Sequence, residues 1–176
     1  EWDFTRGTSL ALGLANLALR EPARQAECLA VIDAILDETQ RLEQERGQLH
    51  FLLPYAGYRP FRDPRGRSLF VDGEVLLMAA ARRLVEEKEA LRPVVAERAA
   101  RVVASLEGGP VLCGESYPDE CWTFCNTAAV AGLRLADALG EGDHRALCAR
   151  LVASARAKLC EPASGLLVSS FRHDGS

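Results

Sequence analysis

No stretch of this sequence is long enough and apolar enough to cross a bilayer. The longest nearly apolar run, Leu10–Leu19, is interrupted by Asn16 and falls short of the roughly 20 apolar residues that a spanning helix needs. Nor is there an excess of positive charge. The 21 Lys and Arg are scattered among 25 Asp and Glu, for a net charge of −4, which argues against a nucleic-acid surface. Strand patterns are nearly missing. The cysteines lack the paired short spacing of a zinc module, and His50, His144 and His173 all stand far in sequence from Cys121 and Cys125. The expectation is a protein with no metal, no cofactor, no nucleic-acid partner and no membrane partner.

What is present suits an ordinary globular chain. Its 176 residues, 26% charged and 48% hydrophobic, are enough for one domain, 1–176, with a sizeable core. Of the six cysteines, Cys28, Cys148 and Cys160 fall on apolar helix faces, where a free thiol behaves as a small hydrophobe; a reduced, cytoplasmic protein is expected. The chain begins Glu-Trp-Asp-Phe without methionine and stops at Arg-His-Asp-Gly-Ser, so it is read as an excerpt of a longer one. The oligomeric state is left open.

Helix signals are strong. The first helix is expected over 5–19, and the second over 22–46, with Pro22 in its first turn and Gly47 as its stop. A loop punctuated by three prolines follows, with short extended pieces possible. The third helix is expected over 69–87 and the fourth over 90–106, ended by Gly108-Gly109-Pro110. The fifth is expected over 119–139, and the sixth over 143–160 with Asp143 as N-cap. The tail Ser164–Arg172 suits a short strand or hairpin arm.

These helices are of two kinds. The second, fourth and sixth are amphipathic, with one face in water. The first, third and fifth ("LALGLANLAL", "VLLMAAA", "TAAVAGLRLA") are apolar around most of their circumference and are expected to be buried on nearly all sides. A loose repeat places Phe4, Phe70 and Phe124 just before the three apolar runs, at spacings of 66 and 54 residues. Alternating inner and outer helices suggest helical hairpins forming an arc of an α/α toroid, with an α-solenoid as the rival. The loops are too long for a uniform solenoid, which favours the toroid.

In that arrangement the inner helices run parallel and their N-termini gather at one mouth. The first would bring Glu1, Trp2, Asp3 and Arg6; the second, Asp72 and Glu74; the third, Tyr117, Asp119, Glu120, Cys121, Trp122, Cys125 and Asn126. Polar and aromatic groups at the starts of otherwise aliphatic helices are what a small-molecule site requires. Each acid also suits a first helical turn, with Asp119 as the N-cap of the fifth helix. Cys121 and Cys125, four apart, would share a helix face. A first turn lowers a thiol pKa and neighbouring acids raise it, so either a thiolate nucleophile or a protonated thiol fits. Asp72 or Glu74 opposite Asp119 or Glu120 would suit acid–base work. Trp2, Tyr55, Tyr58, Tyr117 and Trp122 are candidates to stack on a sugar or enclose an apolar ligand. His144 and the run Arg62, Arg65 and Arg67 read as structural or solvated.

From Ser68 to Phe171, the phrases "SLFVDGE", "ESYPDECWTFCNTAA" and "SGLLVSSF" resemble uncharacterised bacterial proteins grouped with the linalool dehydratase/isomerase family. The resemblance implies an α/α toroid, of which this chain would be about half. It also implies a cofactor-free pocket in which cysteine, tyrosine, aspartate and histidine side chains move protons during dehydration and isomerisation of a terpene alcohol. By residue type, Cys121, Cys125, Tyr117 and Asp72 match those parts; no histidine stands at an expected mouth. Three functions follow as expectations: a cofactor-free lyase or isomerase acting on a small neutral molecule, a carbohydrate-active toroid using paired carboxylates, and a non-catalytic helical scaffold. In the first, Cys121, Cys125, Asp72, Glu74, Asp119, Glu120 and Tyr117 are the catalytic candidates. Trp2, Asp3, Arg6, Tyr55, Trp122 and Asn126 are the substrate-binding ones.

Overall fold

A computed structural model describes residues 2–176, so Glu1, placed above at the first mouth, lies outside the described residues. The fold is mostly helical. Helix α1 spans Trp2–Arg20, and α2 spans Gln25–Arg46, entered through a short 3-10 turn at Pro22–Arg24. Gly47 ends α2 with φ of 73°, a left-handed conformation that glycine adopts without a Cβ clash. The long loop that follows holds two 3-10 turns, Gln48–Phe51 and Pro54–Gly57, in place of the extended pieces the prolines suggested.

Helix α3, Leu69–Val85, is the hub. Every residue from Leu69 to Arg83 is buried, including Asp72, Glu74, Arg82 and Arg83. The Ser68 hydroxyl caps it by accepting from the Val71 amide at 3.4 Å. Helix α4, Arg92–Gly108, packs back on it. Helix α5, Thr123–Ala138, lies along its other side. Helix α6, Arg145–Lys158, rests on the core mainly through Leu147 and Leu151.

The inner helices are parallel, and side-chain register shows it. Phe4 meets Phe70 edge-on at 5.4 Å, and Thr8 hydrogen-bonds Glu74 one turn further on, so α1 and α3 pair with the 66-residue offset of the phenylalanine repeat. Along α3 and α5, Gly73 faces Ala129 and Gly132 faces Leu76. Both glycines are needed for close approach: a Cβ on Gly73 would stand 2.8 Å from that of Ala129. Only α3, however, is buried all round. On α1 the buried residues are the single stripe Phe4, Thr8, Ala11, Ala15 and Ala18, leaving Leu10 and Leu19 exposed. On α5 they are again one stripe, from Cys125 to Ala136. The flanking helices have a neighbour on one side, whereas α3 has neighbours on both.

Helix α5 begins four residues later than the cap signal at Asp119 suggested. Residues 117–120 form a tight reversal in which Tyr117 bridges Glu120 and Asp119 has φ of 60°. The segment Cys121–Trp122 is then strand β1, paired antiparallel with β2, Ser170–Phe171, in the register Cys121 opposite Phe171. The reversal is held by Glu115, whose buried carboxylate accepts the amides of Arg62 (2.9 Å), Asp63 (2.7 Å) and Asp119 (2.6 Å). An N-cap residue needs an extended backbone, whereas Asp119 is held left-handed in the reversal and Cys121–Trp122 then run as a strand, so tertiary contacts override the local cap. At α6, His144 takes the position expected of Asp143, with its backbone amide and ring both on Asp137. Val111, Cys113, Cys121, Leu159 and Phe171 make a small second core beneath β1 and β2.

Candidate functional site

Where the first turns of α1, α3 and α5 converge, they enclose a cavity of about 460 Å³. Trp2 and Thr5 come from α1, Phe70 from α3, and Phe124 and Cys125 from α5. Leu53 and Tyr55 of the long loop and Tyr117 and Trp122 of the turn before α5 close the walls. Tyr55 and Tyr117 stack with centroids 5.1 Å apart and planes 18° from parallel. Phe4, set against Phe51 at 4.6 Å and against Phe70, packs behind the lining residue Phe70. The walls are overwhelmingly apolar, and the cavity is of a size that holds a small ligand.

Polar groups at the rim are few and specifically held. The Tyr55 hydroxyl donates to Glu120 Oε2 at 3.0 Å. The same carboxylate accepts from Trp122 Nε1 and, on its other oxygen, from Arg59, each at 3.4 Å. Glu120 thus orients two of the aromatic walls. The first turns of α1, α3 and α5 lie at this end of the molecule, where the positive ends of the helix dipoles favour negative charge.

Of the expected mouth residues, Trp2, Tyr55, Tyr117, Trp122 and Cys125 come together in the cavity, with Glu120 at its rim. The others go elsewhere. Asp3 and Arg6 pair with each other at 2.9 Å on the exposed face of α1. Asp72 faces away into an ion cluster with Arg67, Arg98 and Arg101, in which Arg67 and Arg98 also grip Glu43. Glu74 is buried between α3 and α1; desolvation pushes its carboxyl above the ordinary glutamate range, against a smaller opposing effect of Thr8. Asp119 is buried in the reversal, with Arg62 at 3.7 Å. Asp72 and Glu120 share no partner: the first is held by Arg67, Arg98 and Arg101, the second by Tyr55, Arg59 and Trp122.

Asn126 is a structural tie. Its side chain exchanges bonds with Gly114 at 2.9 and 3.1 Å and donates to the Trp122 carbonyl at 3.0 Å. Cys121 and Cys125 do not share a face, because Cys121 is in β1 and Cys125 in α5. The Cys121 sulfur lies 3.3 Å from that of Cys113 in the second core. The hydrogen bond with Cys113, then burial, then the charges of Glu115 and Asp119 push its thiol far above the usual range, so it is held protonated. The six cysteines are free thiols. Among the described residues, Cys113, Cys121 and His173 are the group that could hold a metal, with one donor atom of each within 4.8 Å of the others.

Sequence reasoning missed Thr5, Leu53, Phe70 and Phe124 as lining residues. The phenylalanine repeat did single out Phe70 and Phe124, but as packing. Leu53 carries no signal of its own, since it reaches the cavity only through the fold of the long loop.

Among the described residues, no helix is long and apolar enough to cross a membrane. No protein-family model matches the chain, and no curated protein matches it.

Proposed function

We propose that the mouth cavity binds a small, neutral, largely apolar molecule and that the protein performs cofactor-free acid–base chemistry on it, of lyase or isomerase kind. The carrying observation is the cavity itself: aromatic and aliphatic walls at the gathered N-termini of three parallel helices, with a thiol and two phenols in the lining and a carboxylate hydrogen-bonded to one of those phenols. A scaffold whose helix starts were only caps would fill this space. In this reading α1, α3 and α5 are the inner wall of an α/α toroid arc and α2, α4 and α6 its outer layer, in keeping with the resemblance to the linalool dehydratase/isomerase family.

Elimination of water from a neutral alcohol needs an acid to protonate the leaving hydroxyl and a base to take a proton from the neighbouring carbon. Cys125, in the cavity wall at the first turn of α5, serves as one partner. Tyr55, its hydroxyl donating to Glu120, serves as the other. As the phenol oxygen takes the proton from carbon, its own proton passes to the Glu120 carboxylate, while the Cys125 thiol gives its proton to the leaving hydroxyl. The proton on Glu120 returns to the thiolate through solvent after water departs. Tyr117 and Trp122 hold the hydrocarbon part of the ligand by stacking and contact.

The test is a panel of small terpenoid and other neutral alcohols, scored by thermal shift and by product formation. Trp122→Ala is expected to weaken binding at least about 10-fold, by loss of buried contact area. Cys125→Ala and Tyr55→Phe are expected to keep binding and lose turnover by about 10²-fold or more. Full turnover in both catalytic variants would sink the reading.

A further inference from the structure

We infer that Cys113, Cys121 and His173 form a binding site for a soft divalent cation, of which Zn²⁺ is the natural occupant. Three separate segments deliver the donors. Cys113 lies in the loop after α4, Cys121 is in β1, and His173 follows β2 by two residues. The pairing of Cys121 with Phe171 brings the imidazole to the thiols. Two buried thiols and an imidazole nitrogen within 4.8 Å are a Cys₂His donor set, the chemistry that zinc prefers.

Two further observations point to an occupant. The His173 Nδ1 atom is buried and has no hydrogen-bond partner among the described residues, although buried polar atoms are ordinarily paired. Room is also kept for the group. Gly109 lies against it, and a Cβ there would stand 2.8 Å from the Cys113 carbonyl oxygen, 3.4 Å from the His173 ring and 3.6 Å from the Cys113 sulfur. A divalent cation balances two thiolates, and binding releases the two thiol protons to solvent.

The fit requires little movement. Tetrahedral zinc at about 2.3 Å from each sulfur sets them roughly 3.8 Å apart, against 3.3 Å in contact. Three protein donors leave a fourth position for water. His173 is only half-buried. Once bound, the ion would fasten the C-terminal segment to β1, and through β1 the Trp122 wall of the mouth.

The experiment uses the reduced, chelator-treated chain titrated with Co²⁺ as the spectroscopic probe and then with Zn²⁺. One Co²⁺ per chain is expected, with thiolate charge-transfer absorption and the intense visible bands of a tetrahedral site, displaced by Zn²⁺. Cys113→Ser, Cys121→Ser and His173→Ala should each weaken Co²⁺ binding by more than about 100-fold, beyond the losses typical of outer-shell changes. His173→Ala, on the half-exposed tail, keeps the test valid if a serine variant fails to fold. Failure of the reduced wild-type chain to take up Co²⁺ overturns the proposal, as does uptake with the same spectrum in His173→Ala. A Cys113–Cys121 disulfide with no metal uptake after reduction overturns it equally. None of these readings depends on the mouth cavity or its chemistry.

Discussion

Asp72 and Glu74 stand two residues apart on α3, and the helix turns about 200° between them. Asp72 therefore reaches out to Arg67, Arg98 and Arg101, while Glu74 turns in towards Thr8. Their opposite environments make opposite predictions. Glu74 has its pKa raised in the folded state, so the folded chain holds that proton more tightly than the unfolded one. The sign is then that stability falls as pH rises from the ordinary glutamate value through the folded pKa. Glu74→Gln is expected to remove that fall and to be more stable than wild type at neutral pH, measured as urea midpoints across pH. Glu43 behaves in reverse. Burial pushes its carboxyl up, but the hydrogen bonds and charges of Arg98 and Arg67 outweigh burial and leave it below the usual range. Its contribution is present above the ordinary glutamate value and is lost as pH falls through the folded pKa. Arg98→Leu strands buried acids and is expected to cost about 3–5 kcal/mol at neutral pH, with the deficit shrinking on acidification. An equal deficit at pH 7 and pH 4 would contradict this assignment.

At the scale of elements, the close parallel packing of α3 on α5 depends on glycines that a helix interior would otherwise disfavour. Gly73→Ala gains up to about 1 kcal/mol of helix propensity but sets two Cβ atoms 2.8 Å apart, an overpacking cost of about 1–3 kcal/mol. The clash is expected to win, lowering stability by about 1–2 kcal/mol, and Ala129→Gly in the same chain should restore most of it. A double-mutant cycle by chemical denaturation checks the coupling. The six helices and the alternation of amphipathic with apolar ones were legible from periodicity, because burial of a face imposes the 3.6-residue repeat directly. The start of α5 was not. Asp119 carries every local mark of an N-cap, yet its backbone is held left-handed by the reversal on Glu115, and Cys121 and Trp122 pair with the tail.

At the scale of the molecule, the mouth cavity and the second core lie back to back across β1. Trp122 lines the mouth, while Cys121 beside it is locked among Cys113, Leu159 and Phe171. Phe171→Ala should therefore act at a distance. It is expected to cost about 3 kcal/mol as a large-to-small core change and also to weaken ligand binding at the mouth by about 10-fold, although Phe171 does not line it. Calorimetric affinity that stays unchanged in a folded Phe171→Ala chain would show that the two regions are uncoupled. Exposed Trp2, Phe124 and Trp122 crowd this same end, so ligand binding should quench or shift tryptophan emission.

The sequence by itself determined the all-α class, the helical hairpins, the parallel register of α1 on α3 and the aromatic character of the mouth. Each of these follows from patterns local to a helix or from a repeat of one pattern. Tertiary structure decided where the carboxylates go, because that choice belongs largely to distant partners: Arg98 and Arg101 draw Asp72 away from 26 and 29 residues along the chain, and Tyr55 and Arg59 hold Glu120 at the rim from 65 and 61 residues. It also separated Cys121 from Cys125, which an unbroken helix would have kept on one face, by drawing Cys121 into a strand. It then placed His173 beside Cys113 and Cys121, 52 residues from the nearer of them, through a two-residue strand pairing that no local pattern announces.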